Sequence, residues 1–400
     1  MRRLHRYVFH IDVNSAFLSW SALKQLNENA EAVDLRTIPS IVCGDTQSRH
    51  GIVVARSVEA KKYGINTPEP VVSALRKCPN LVMVPPDFEW YTYCSGQLME
   101  LLSGYTDKLI KFSIDEAWAV FEGYENIYGD PVEFAYKLKD EIKERLGFTV
   151  NIGVSTNFLL SKMAGDFSKP DKVHSCFPEE IERKMWPLPV GDLLFCGKSA
   201  TDKLKSIGIK TIGDLAKADD ALLSSAMKNQ GLILKGLANG NEIDLGDMDA
   251  ARKSYSHSLT TPKDIDDIEE AKQILLSLTE TVAARLREDC AEARVISVNF
   301  TTSEFRKKSR QRSLERKTNI TREIYEVVCI LTEELWDKKT PVRLLGVSAS
   351  GTDEENYDQL SLFGNEERKK QIMVDNAMDA IRKKYGTGAI SRASLLDKNK

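Results

Sequence analysis

The feature that most constrains this chain is where it places three carboxylates. Asp12 ends the apolar run Tyr7, Val8, Phe9, His10, Ile11. Asp115 and Glu116 lie side by side in KLIKFSIDEAWAVFEGY, near the turn between two apolar strands. Adjacent acids repel, so a hydrophobic hairpin carrying two of them loses stability unless cations sit between them. Mg²⁺ prefers hard oxygen ligands and usually takes one or two carboxylates together with substrate phosphates. Two such ions about 3.5–4 Å apart suit phosphoryl or nucleotidyl transfer. Spacing alone leaves a plainer alternative open: an N-cap aspartate and a surface hairpin with ordinary acids.

Around these acids the periodicity alternates between strand and helix. A short buried strand runs to Asp12, and Phe17, Trp20 and Leu23 follow at helical spacing. Ile38 to Val72 is β-leaning and broken by Gly44, Gly51, Gly64 and Pro68, with one short helix in VEAKKYG. A helix is expected over Glu133–Leu146, then the buried strand FTVNIGVSTN, then a helix in FLLSKMAGDFSKP ended by Pro170. This order suits an α/β or α+β catalytic core. LLFCGKSATDKLKSIGIKTIGDLAKA reads as two helices about a Gly208-Ile209 turn, the second opened by a Thr211/Asp214 capping box. NGNEIDLGDMDAARKS is the best linker in the chain. Beyond it, a long amphipathic helix over Asp264–Arg287, the alternating strand ARVISVNF, a second helix and the strand RLLGVSAS form a compact βα unit. The last fifty residues hold the apolar island QLSLF and a helix near Ile372–Arg382.

Composition excludes several classes. The 400 residues allow two to four domains, and 42% hydrophobic residues exclude a mainly disordered protein. No apolar run approaches the roughly 20 residues of a membrane span. Asp12 interrupts any signal-peptide core, so a soluble cytoplasmic protein is expected. The seven cysteines are scattered without a C-x-x-C pair and read as reduced, mostly buried thiols. With 56 basic and 59 acidic residues the net charge is −3, so a nucleic-acid partner can be argued only from local clusters. One lies between Phe305 and Lys317: Arg306, Lys307, Lys308, Arg310, Arg312, Arg316 and Lys317 stand against Glu315 alone. A strand there sends Arg310 and Arg312 to one face and Gln311 and Ser313 to the other. Such a row could follow a phosphate backbone without reading sequence, although a solvated charge run is the usual reading. Leu362 and Phe363, in a polar tail, are poorly placed unless a partner's groove receives them.

HIDVNSAF, GIVVARSVEAKKYGI, SIDEAWAVF, NIGVSTNFLLSKMAGDFSKP and PVRLLGVSASG, in that order, resemble the Y-family DNA polymerases of the bacterial DinB type. The resemblance runs from about residue 6 to the end. It implies an α+β multidomain fold, a right-hand polymerase with a βα little-finger domain. The palm would take residues 1–23 and 78–176, the small fingers 24–77, and a helical thumb with a helix-hairpin-helix 177–243. A linker would follow over 244–254, then the little finger over 255–350 and a clamp-binding tail over 351–400. The implied activity is template-directed, low-fidelity translesion synthesis by two-metal nucleotidyl transfer, with two Mg²⁺ ions, primed template DNA and dNTPs. The enzyme would be a monomer recruited to the sliding clamp through Gln359, Leu360, Leu362 and Phe363.

By the same resemblance, Asp12 bridges both metals, the Val13 backbone carbonyl also ligates, Asp115 is the second metal aspartate and Glu116 lies beside the primer 3′-hydroxyl. Lys169 matches the lysine that contacts the triphosphate. Phe17 falls where the family places its steric gate against a ribose 2′-hydroxyl; without the match it reads as a core aromatic. Gly197, Lys198 and Gly208 belong to the hairpin that offers backbone N–H groups to a phosphate. Arg306, Arg310 and Arg312 would grip DNA in the little finger. Three positions depart from the pattern. Val58 stands where most relatives carry tyrosine, and Lys61 where they carry arginine, which removes a hydroxyl and a bidentate fork from the triphosphate. Phe195 replaces the first glycine of the G-x-G turn. Val58 is similar to the catalytic subunit of DNA polymerase V, so an activator-dependent enzyme is a second reading. A decayed DNA-binding scaffold is a third, against which the three intact acids argue. A two-metal nucleotide cyclase would need neither the thumb, the basic strand nor the clamp motif.

Overall fold

The computed structural model describes residues 6–44, 51–123, 125–243, 245, 251–352 and 366–395. Packing divides the chain into two units, the first ending at Leu245 and the second following it. In the first, β1 (Arg6–Val13) turns through Asn14 and Ser15 into α1 (Ala16–Glu28), with Ser15 left-handed at φ 48°. Next come β2 (Ser40–Cys43), β3 (Val53–Arg56), α2 (Val58–Lys62), α3 (Val71–Lys77) and β4 (Val82–Val84), whose small sheet has the order β3-β2-β4. They are followed by α4 (Phe88–Ser103), β5 (Lys108–Lys111), β6 (Glu116–Glu122), α5 (Glu125–Tyr128), α6 (Pro131–Leu146), β7 (Val150–Ser155), α7 (Phe158–Gly165) and β8 (Val173–Ser175). The larger sheet runs β5-β6-β1-β7-β8. Helices α8 (Ile181–Lys184), α9 (Lys198–Ser206), α10 (Ile212–Lys217), α11 (Asp220–Met227) and α12 (Asn229–Ala238) complete the unit.

β1 is central in that sheet and covered on both faces, which is why its sequence is almost continuously apolar. Phe9, Ile11 and Val13 pack with Trp20, Tyr91, Leu98 and Phe134 on one side. Val8 joins Trp118, Leu160 and Met163 on the other. Helix starts follow the local chemistry. Ser57, Asp130 and Asn157 cap α2, α6 and α7, and Thr211 with Asp214 forms the predicted capping box of α10. One helix is shorter than expected: α7 stops at Gly165, not at Pro170. The amides of Asp166 and Phe167 close onto the Met163 and Ala164 carbonyls, both at 3.2 Å, and tighten the last turn.

The second unit contains β9 (Ser254–Ile265), α13 (Ile268–Glu288), β10 (Ala293–Thr302), β11 (Lys307–Thr318), α14 (Thr321–Leu335), β12 (Val342–Ser350) and α15 (Glu366–Tyr385). Its sheet has the order β11-β10-β12-β9, and α13 and α14 pack on one face. The long amphipathic helix begins at Ile268, capped by Asp267, because residues 264–265 belong to β9. The terminal helix spans Glu366–Tyr385, longer than expected, and docks by ion pairs. Buried Asp375 accepts from the Thr321 N–H at 2.8 Å and pairs with Arg287 and Arg392, while Glu280 binds Arg382 and Arg392. No described helix is long and apolar enough to cross a membrane. Five of the seven cysteines are buried and all are free thiols. Gln359, Leu360, Leu362 and Phe363 lie outside the described residues.

Candidate active site

Antiparallel pairing of β1 with β6 sets Asp12 opposite Glu116, with Asn151 of β7 on the other side. Beyond the strand end, the Val13 N–H donates to the Asp115 carbonyl at 3.0 Å. Ser113 organises the β5–β6 turn: its Oγ donates to Asp115 Oδ1 at 2.7 Å and accepts from the Glu116 N–H at 3.0 Å. The three acids are therefore brought together by sheet register and one short turn.

Each acid has a partner. Asp12, 8% exposed, accepts from Lys169, which also reaches Asp166 at 2.9 Å. Burial pushes the Asp12 carboxyl above the usual range, against the pull of Lys169. Glu116 accepts from Lys162 at 2.8 Å. Burial works against its charge, but His10 and Lys162 prevail and hold the carboxyl down, at about 2. Among the described residues no three His, Cys, Asp or Glu side chains gather closely enough to hold a metal ion by themselves. The available donors are nevertheless all hard oxygens: three carboxylates and the Val13 carbonyl. That set fits a Mg²⁺-type ion whose shell is completed by substrate phosphates and water.

One cleft of about 500 Å³ is lined by Asp12, Val13, Phe17, Val58, Lys61, Asp115, Glu116 and Lys169, every catalytic and nucleotide residue singled out from sequence. Phe17 is both packed in the aromatic core and part of the cleft wall. Its ring stacks on buried Tyr91 at 4.7 Å and 12°, with Phe88 edge-on at 5.9 Å, yet it also faces the cleft. Tyr91 is anchored in turn by a 2.6 Å hydrogen bond with Ser21 on α1. Val58 is half exposed at the first turn of α2, so no hydroxyl enters the cleft from that position. Sequence reasoning missed Arg56, the last residue of β3. It lines the same cleft and donates to Asn66 Oδ1 at 3.0 Å. Its signal was its position two residues before Val58 on a strand leading into the cleft-lining helix.

The remaining predicted residues lie elsewhere. Gly197 caps α9 without a side-chain bond, Lys198 opens that helix, and Gly208 sits at φ 90° in the following turn. Phe195 keeps the left-handed backbone of a glycine, at φ 66°, and remains 57% exposed. On β11, Arg310 and Arg312 are paired with Val298 and Ile296, whose side chains are buried under the helices. The two arginines therefore project from the helix-covered side of an edge strand. There Glu334 of α14 takes both, at 2.6 and 2.7 Å, while Asp337 takes Lys308 at 2.8 Å. Arg306 pairs with Glu304 at 3.2 Å. The opposite face presents Ser309, Gln311 and Ser313 beside Asn299 and Ser297.

Residues 11–166 match the model of the impB/mucB/samB family, and residues 252–362 match that of its C-terminal domain. The chain is 43% identical over 399 residues to DNA polymerase IV of Clostridium acetobutylicum, covering 99% of each protein. It is 34% identical over 406 residues to DNA polymerase IV 1 of Bacillus subtilis, covering 98% of this chain and 94% of that one. Among solved structures, a Dbh–Dpo4 Y-family DNA polymerase chimera shares the fold with a TM-score of 0.72, at 24% identity over 87% of this chain and 100% of that one. DinB from Sulfolobus solfataricus superposes with a TM-score of 0.54, also at 24% identity, over 86% of this chain and 98% of that one. The chain belongs to the impB/mucB/samB family and, within it, to the DinB-type Y-family DNA polymerases.

Proposed function

We propose that the cleft between β1, β6 and α2 binds an incoming dNTP and joins it to a primer end, which makes this chain a translesion DNA-directed DNA polymerase. The observation that carries the reading is the convergence of all eight sequence-selected residues on one cleft. Asp12, Asp115, Glu116 and the Val13 carbonyl would hold two Mg²⁺ ions. Bound ions of this kind lower the pKa of an attacking hydroxyl and neutralise a triphosphate. Lys169 would exchange its bond to Asp12 for the triphosphate, and Phe17 would lie under the sugar. Arg56 adds a guanidinium on the side where Val58 and Lys61 weaken the grip, and so supports an enzyme that works without an activator. Duplex DNA would be held by the Gly197–Gly208 hairpin and by β11. Recruitment to the clamp would use Gln359, Leu360, Leu362 and Phe363, with the enzyme acting as a monomer in the cytoplasm.

Primer extension tests the reading: a primed template, Mg²⁺ and four dNTPs, with wild type beside Asp115→Asn/Glu116→Gln. Extension by the wild type alone is expected. Equal extension by both proteins would remove the acids from the mechanism, and none by either, even with clamp, would favour a DNA-binding relic or an activator-dependent enzyme.

A further inference from the structure

Lys162 has no part in the roles above, yet it is the buried cation of the site. It lies in α7 with its side chain one-tenth exposed. An ammonium taken out of water is costly unless it is paired and hydrogen-bonded. Its Nζ donates to Glu116 Oε2 at 2.8 Å, lies 3.4 Å from His10 Nε2, and stands 5.5 Å from the centre of the Phe112 ring. The contact to Glu116 uses Oε2 and leaves Oε1 for the cleft that Glu116 lines.

His10 explains how the lysine is kept in place. Its ring is fully buried on β1 and edge-on to Trp118 at 5.1 Å. Nε2 faces both Lys162 Nζ at 3.4 Å and Glu116 Oε2 at 3.8 Å, while Nδ1 is buried and, among the described residues, has no hydrogen-bond partner. An unpaired buried polar nitrogen is disfavoured, so an apolar side chain would fill this space more cheaply if filling were its only purpose. The approach of α7 is also specific. A Cβ at Gly153 of β7 would lie 1.8 Å from the Ser161 carbonyl oxygen and 2.4 Å from the Gly165 nitrogen. Only glycine there lets α7 sit near enough for a lysine to reach across β1 to β6.

We infer that Lys162, braced by His10, is a positioning residue for Glu116, fixing Oε2 so that Oε1 is presented to the primer end and its ion; this rests on the polymerase reading above. The test uses the full chain on a primed template, with wild type, Lys162→Met, Lys162→Arg, Glu116→Gln and the double variant Lys162→Met/Glu116→Gln. Single-turnover rates are paired with Mn²⁺ binding to the enzyme–DNA–dNTP complex on a dideoxy-terminated primer, read by electron paramagnetic resonance. Lys162→Met is expected to slow the step roughly 10–100-fold and to raise the Mn²⁺ half-saturation by a similar factor. The KM for dNTP should move less than about twofold. Lys162→Arg should recover most of the rate. In the Glu116→Gln background Lys162→Met should add nothing. Losses that multiply in the double variant, or an unchanged Mn²⁺ half-saturation, would overturn the inference and leave a structural lysine. If Lys162→Met does not fold, Lys162→Arg decides: near wild-type rate and Mn²⁺ binding support the role, and loss of both overturns it. Failure of the wild type to extend at all would count against the polymerase reading instead.

Discussion

Glu334→Gln tests whether the arginine face of β11 meets DNA. Glu334 holds Arg310 and Arg312 at 2.6 and 2.7 Å, with the three side chains 33–54% exposed. If these arginines are to follow a phosphate backbone, both pairs must open first. An exposed pair is worth about 0.2–1 kcal/mol, so two together oppose binding by about 0.4–2 kcal/mol, a factor of about 2–30 in affinity. Removing the acid while keeping its shape should therefore tighten binding of a labelled primer–template by that factor, measured by fluorescence anisotropy across a salt series. Glu326→Gln supplies the control. It removes the same charge from the same helix but releases Arg322, which is not on β11. In the converse experiment, Arg310→Ala should make the plot of log affinity against log salt shallower by about 0.9 for the lost phosphate contact. Unchanged or weaker binding by Glu334→Gln, or an equal gain in the Glu326→Gln control, would refute the reasoning. Arg310 and Arg312 would then not be the groups that hold DNA.

Three further outcomes follow from the same geometry. Arg56→Ala should raise the KM for dNTP by about tenfold with little change in kcat, as expected when a charge-assisted contact to a bound phosphate is lost; an unchanged KM would take Arg56 out of the substrate site. Phe17→Ala should increase ribonucleotide incorporation by about tenfold or more in steady-state competition, because the ring between the cleft and Tyr91 is removed; preserved discrimination would leave Phe17 a core aromatic only. Asp171 pairs with Lys139 at 2.8 Å and Lys143 at 3.1 Å, two residues after Lys169. Burial works against its charge, but the two lysines hold its carboxyl below the ordinary value. A depressed folded-state pKa stabilises above the unfolded value and is lost as pH falls through the folded one. Asp171→Asn should thus cost about 1–2 kcal/mol at pH 7, with a difference in Tm from wild type that shrinks below about pH 4. A constant difference from pH 7 to 3 would show that the charge is not responsible.

What the sequence disclosed, and what it concealed, divides by how far apart the deciding contacts lie. The acids were legible because β1 and β6 are apolar on both faces, so a carboxylate at either end is conspicuous against its own neighbours. The α9–α10 hairpin was legible for a similar reason, since Thr211 and Asp214, three residues apart, form the capping box of its second helix. β9 was not, because few of its residues are buried and apolar, chiefly Tyr255 and Ile265, while the rest of SYSHSLTTPKDI is largely polar. Lys162 sits in FLLSKMAG, an ordinary apolar helix by pattern, and acquires meaning only from His10, 152 residues earlier, and Glu116, 46 residues earlier. The basic row of β11 shows the limit most clearly. Alternation separates Arg310 and Arg312 from Gln311, but it cannot say which face turns toward the helices or that an acid 22 residues beyond Arg312 waits there. A run of cations argues for a phosphate partner only after the nearest acids in space have been counted. In this chain Glu334 and Asp337 have first claim on that row, and a phosphate backbone would have to compete with them for it.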